Sequence, residues 1–114
     1  MKCTHAQTGF ELAAHVEYAR RFGARLKGLL GRASLAAHHA LLLEPCPQVH
    51  TWFMRFSIDV VFLDQQNRVV AVAENLVPWR ISKLYPSARR TLELPCGTLQ
   101  GRVKPGDELI FNEL

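Results

Sequence analysis

The stretch VHTWFMRFSIDVVFLD, residues 49–64, holds the densest apolar run of the chain, and its few polar side chains, His50, Thr51, Arg55 and Asp59, stand inside that run. Within it, IDVVFLD (58–64) is short, β-branched and aromatic, the composition of a buried strand. Gln65-Gln66-Asn67 breaks the pattern. RVVAVAE (68–74) then returns, with Val70 and Val72 on one face and Val69, Ala71 and Ala73 on the other. Two such runs around a polar turn read as a β-hairpin. Residues 49–54 read as another strand, joined to 58–64 by a bend or bulge at 55–57.

Outward toward the N-terminus, residues 40–43 form a continuous apolar run that reads as a buried strand, ended by Glu44-Pro45-Cys46-Pro47 because proline removes the ladder donor and restricts its predecessor. Before it, Phe22, Leu26, Leu29 and Leu30 recur at helical spacing, which predicts a short helix over 20–32 that stops near Gly31. Residues 10–19 alternate with period two and read as a strand. Residues 1–9 read as a loose polar arm, leaving one globular domain over 10–114. Toward the C-terminus, residues 75–88 form a long connection containing Pro78, Trp79 and Pro86, and a loop of that length in a small domain is usually functional. Strands follow at 90–94 and 108–111, separated by Pro95-Cys96-Gly97, a short helical turn within 98–103, and the turn signal Lys104-Pro105-Gly106-Asp107. The expected fold is mainly β, a largely antiparallel barrel or sandwich with one short α-helix, hence α+β by count.

The chain has 114 residues, 14 Lys and Arg against 10 Asp and Glu, and a pI near 9.3. A length of roughly 100–150 residues is that of one domain. The mild positive balance reads first as a solvated surface and second as a polyanion-binding one. Cys3, Cys46 and Cys96 are odd in number and widely spaced, which is no disulfide framework, so reduced thiols and a cytoplasmic location are expected. The N-terminal residues show no signal peptide. No apolar run approaches the roughly 18–20 residues of a membrane span.

Three pieces lie in order along the chain: Leu26-Lys27-Gly28-Leu29-Leu30-Gly31-Arg32; then Pro45-Cys46, Val49-His50-Thr51, Met54, Phe56, Ile58-Asp59-Val60 and Phe62-Leu63-Asp64; and finally Ala88, Leu92-Glu93-Leu94-Pro95, Gly97 and Gly106-Asp107. Together, over residues 14–112, they resemble domain-of-unknown-function family 192, a small prokaryotic family. The resemblance implies a compact β-barrel or sandwich with a short helix after the first strand. It implies no reaction and no cofactor. Commoner members carry a Trp-Met-Lys-Asn-Thr stretch and then a proline. Here the stretch reads His50-Thr51-Trp52-Phe53-Met54-Arg55, with Ser57 at the proline's place.

Asp59, between Ile58 and Val60, must be paired or hydrogen-bonded, because burying a lone carboxylate costs several kcal/mol. A structural ion pair with Arg55 or Arg32, or a cap on loop N–H groups, is the simplest role; a ligand-binding or catalytic carboxylate is the functional one. Cys46 and His50 are close enough in sequence for a metal or a Cys–His nucleophile pair, with Cys96 a further thiol. A single close pair makes no zinc signature, so no metal and no cofactor are expected. Arg20, Arg21, Arg25, Lys27 and Arg32 concentrate positive charge without an intervening acid. That face would serve a polyanion, although no nucleic-acid motif accompanies it and nucleic acid is not the expected partner. Trp79 beside Arg80 has the composition of a binding hot spot. The expected function is an accessory protein that binds a small ligand or a protein partner without catalysis, through His50, Thr51, Arg55, Asp59, Trp79 and Arg80. The alternatives are a hydrolase or transferase using Asp59 or Cys46/His50, and polyanion binding through residues 20–32.

Overall fold

A computed structural model describes residues 1–19, 35–44, 48–51 and 54–112. These residues form eight strands: β1 (Lys2–His5), β2 (Glu11–Ala13), β3 (His15–Ala19), β4 (His39–Leu43), β5 (Ile58–Leu63), β6 (Val69–Leu76), β7 (Arg90–Pro95) and β8 (Leu109–Asn112). They make two open sheets, a three-stranded one in the order β2-β1-β8 and a five-stranded one in the order β3-β4-β7-β5-β6. The arrangement is sandwich-like and not a closed barrel.

Mainly β is the right description, and α+β is not. Among the described residues no helix is present, and the helix expected over 20–32 lies outside them. Residues 98–103 form turns without a helix, closed by Thr98 N–H to the Pro95 carbonyl and Arg102 N–H to the Leu99 carbonyl. Residues 1–9 are not a loose arm. Lys2–His5 pairs along its whole length with β8 and also with β2. Cys3 and His5 are buried there, so the period-two burial of this short polar strand is supplied by its tertiary partners. One pair is parallel, β3 against β4 from His15↔His39 to Ala19↔Leu43. A parallel pair needs a crossover connection.

The hairpin read from 58–74 is present as β5 and β6. Asp64 makes its turn, with Oδ1 accepting the N–H groups of Gln66 and Arg68 at 2.8 and 3.0 Å. Asn67 adopts φ 64°, a left-handed conformation that Asn tolerates better than most residues. β5 pairs with β7 on its other side and is buried at every position. Successive side chains of a strand point to opposite faces. Val61 and Leu63 accordingly join the core shared with the small sheet, alongside Cys3, Leu12, Leu92, Leu94 and Leu109. Ile58, Val60 and Phe62 join a second core with Leu41, Val49, Met54 and Ala88. The second core extends under the segments on either side of β5 and β6 and positions the candidate site.

Candidate functional site

Residues 48–51 and 77–82 lie together as a short irregular ladder. Thr51 N–H donates to the Arg80 carbonyl at 2.8 Å, Ser82 N–H to the Val49 carbonyl at 2.9 Å, and Trp79 N–H to the Thr51 carbonyl at 3.0 Å. His50 and Ile81 form an antiparallel bridge. Side chains reinforce this ladder. The buried Thr51 hydroxyl donates to the Val77 carbonyl at 2.6 Å and accepts the Arg80 N–H at 2.9 Å. Ser82 Oγ accepts the Val49 N–H at 3.0 Å, and the Gln48 side-chain amide donates to the Ser82 carbonyl at 2.9 Å. Further along, Tyr85 packs on Phe62 of β5, ring centres 4.7 Å apart.

A long connection thus has its backbone fixed at both ends, while its side chains face outward. Trp79 is 57% exposed, Ile81 55%, Leu84 59% and Val77 37%. Trp79 has φ 65°. A left-handed conformation costs an ordinary L-residue roughly 1–2 kcal/mol, and the bonds through Thr51 hold it. Strain of this kind gathers at functional positions.

The fold brings Thr51, Trp79 and Arg80 into direct hydrogen-bonded contact, with His50 exposed beside Ile81. Arg55 stands in the exposed bend before β5. Asp59 is differently employed. It is 1% exposed, Oδ1 accepts the Asn75 N–H at 2.9 Å, and Oδ2 accepts the Leu99 N–H at 3.0 Å. Its partners are backbone donors at the end of β6 and in the loop after β7, and not Arg55. A regular strand over 49–54 would set His50 and Met54 on one face, but Val49, Thr51 and Met54 are buried and His50 is exposed. Met54 N–H turns back to the Thr51 carbonyl, which breaks the period. Arg20, Arg21, Arg25, Lys27, Arg32 and Cys46 lie outside the described residues. Val77, Ile81 and Leu84 were missed by sequence reasoning. Their signal was a long connection rich in apolar residues between two well-marked strands.

Two thiols sit in contrasting places. Cys3 is buried in β1, and burial pushes its thiol up to about 12. Cys96 is exposed, and its Sγ donates to Asn75 Oδ1 at 3.1 Å. Desolvation first, and then the Asp59 and Glu74 carboxylates, hold this thiol above its ordinary range. Both therefore favour the protonated, poorly nucleophilic form at neutral pH. Cys96 borders a cleft of about 350 Å³ lined also by Phe10, Leu12, His38, Thr98 and Arg102. The Arg102 guanidinium lies 4.5 Å from the centre of the Phe10 ring.

Comparison with known proteins places this geometry among relatives. The model of domain-of-unknown-function family 192 (DUF192, described as Uncharacterized ACR) matches residues 3–111. A UPF0127 protein of Pyrococcus furiosus is 34% identical over 110 residues, 93% of this chain and 94% of the relative. A UPF0127 protein of Pyrococcus horikoshii is 46% identical over 63 residues, 54% of this chain and about half, 53%, of the relative's own length. Among solved structures, a protein of unknown function from Novosphingobium aromaticivorans superposes with a TM-score of 0.82 at 22% identity, over 97% of this chain and 84% of the other. That likeness is one of fold. A proposed transcription regulator from Sinorhizobium meliloti gives a TM-score of 0.76 at 25% identity, over 96% and 89%.

Proposed function

The chain belongs to the DUF192 family, and we propose that it is an accessory protein that works by docking, without catalysis of its own, through the loop at residues 77–84. The observation that carries this reading is the braced loop: Thr51 fixes the backbone at Val77, Trp79 and Arg80, while Val77, Trp79, Ile81 and Leu84 remain exposed. Exposed apolar side chains grouped on one segment mark interaction sites more often than single ones do. A backbone already ordered before binding lowers the entropic cost of association. Among the described residues, Asp59 is engaged by the N–H groups of Asn75 and Leu99, and the Cys96 thiol is held above its ordinary range. His50, bridged to Ile81, would flank the docked surface.

The test is a photo-crosslinking residue at position 84 in the full chain, compared with the same chain carrying Trp79→Ser and Ile81→Ser. Crosslinked adducts should form and should disappear in the loop variant, with the melting temperature retained. Adducts unchanged by the loop variant would remove the reading.

The small-ligand alternative is favoured by a different observation, the cleft beside Cys96, where Arg102 stacks on Phe10. A ligand there would slow alkylation of Cys96. Native mass spectrometry showing no bound molecule, together with an alkylation rate that cell metabolites leave unchanged, would count against it.

A further inference from the structure

We propose that the surface on which residues 77–84 dock is an anionic lipid bilayer. This rests on the docking reading above and names the partner.

The first argument is charge. From residue 75 to residue 92 there is no Asp or Glu, while Arg80, Lys83, Arg89 and Arg90 fall within that span. Arg80 and Lys83, inside the loop, are both exposed. Among the described residues neither meets a carboxylate. A segment with one sign of charge matches a plane of phosphates, whereas protein interfaces commonly set both signs against each other. The second argument is side-chain type. Trp with aliphatic residues and interspersed Arg and Lys is the composition of segments that rest in the headgroup region, apolar groups inserted and cations among the phosphates. Third, the N–H groups of Trp79, Arg80 and Ser82 and the carbonyls of Val77, Arg80 and Ser82 are already engaged with residues 48–51. Lowering its tip into a poorly hydrated interface therefore strands few backbone groups. The protein would rest on the bilayer, since no helix among the described residues is long and apolar enough to cross it.

The experiment uses the purified full chain with vesicles of phosphatidylcholine alone or mixed with phosphatidylglycerol. Co-sedimentation should require phosphatidylglycerol and fall at high salt, because each cation near such a surface is worth about 1 kcal/mol. Arg80→Gln with Lys83→Gln should weaken binding by roughly 30-fold. Trp79→Ser should weaken it as well, while Trp79→Phe should retain most of it. Emission from Trp79 should shift to the blue on vesicles, read as the difference between the chain and Trp79→Phe. Melting temperatures of all variants establish that they are folded. Absence of phosphatidylglycerol-dependent binding, or binding that ignores both the loop cations and Trp79, overturns the proposal. If vesicles are not bound but loop-dependent protein adducts still form from position 84, the lipid partner is wrong and the docking reading stands. If neither occurs, both fall.

Discussion

Asp59 joins the end of β6 to the loop after β7, since its two oxygens take the N–H groups of Asn75 and Leu99. Charge-assisted bonds of this kind are stronger than neutral ones, and an unsatisfied buried donor costs about 1–3 kcal/mol. Asp59→Ala should therefore lower stability by about 2–5 kcal/mol in urea unfolding, with Asp59→Asn losing less. The sequence made Asp59 conspicuous by setting a carboxylate in an apolar strand. It did not say which donors would meet it, because those donors are backbone groups of residues 16 and 40 positions away. Asp107 gives a second prediction. Its Oδ2 accepts from His5 Nε2 at 2.8 Å and from the Lys104 N–H at 2.9 Å, and these bonds, that from His5 first, hold the carboxyl below its ordinary value. The folded state thus binds this proton less readily than the unfolded chain does. The stabilisation is fully present above roughly pH 4, the ordinary carboxylate value, and is lost as the pH falls through the lowered one. In acid unfolding curves, Asp107→Asn should be less stable than the natural chain near neutrality, and the difference should shrink as the pH falls below about 4.

At the scale of elements, the hairpin of β5 and β6 was legible because both its strands and its turn carried local signals that agreed. Residues 49–54 misled because their apolar side chains suggested a strand, while among the described residues of this segment His50 forms an isolated bridge and the Met54 N–H reaches back to the Thr51 carbonyl. The partner of this segment is a loop and not a strand, and no local periodicity encodes that. Thr51 is the element's hinge point, and Thr51→Val keeps the shape while removing the hydroxyl. That change should cost about 1–3 kcal/mol and should speed amide hydrogen exchange at Arg80, whose N–H the hydroxyl accepts. Unchanged protection at Arg80 would show that the loop is held by other means. Trp79 tests the same loop from its backbone: Trp79→Gly removes the left-handed strain and should leave stability nearly unchanged, even as docking is lost.

At the scale of the molecule, the N-terminal strand is the largest departure from what the sequence suggests. Its residues are short and polar, and pairing with β8, from Lys2↔Asn112 through His5↔Leu109, and with β2 makes them a strand. β1 is the middle strand of the small sheet, so deleting residues 1–9 would leave β2 and β8 without their shared neighbour and open the core around Cys3, Leu12 and Leu109. The deletion should cost on the order of 4 kcal/mol or more, a large part of a typical domain's 5–15 kcal/mol, and thermal unfolding measures it. The sandwich then divides the labour: a shared core holds the sheets, buried polar groups tie the loops, and residues 77–84 meet the partner. The measurement that tests this division most directly is crosslinking from position 84 in two variants, Trp79→Ser with Ile81→Ser, and Asp59→Asn, each scaled to its folded fraction. The account predicts that the loop variant loses its adducts and that Asp59→Asn keeps them. Adducts that survive the loop change and vanish with Asp59→Asn would contradict it.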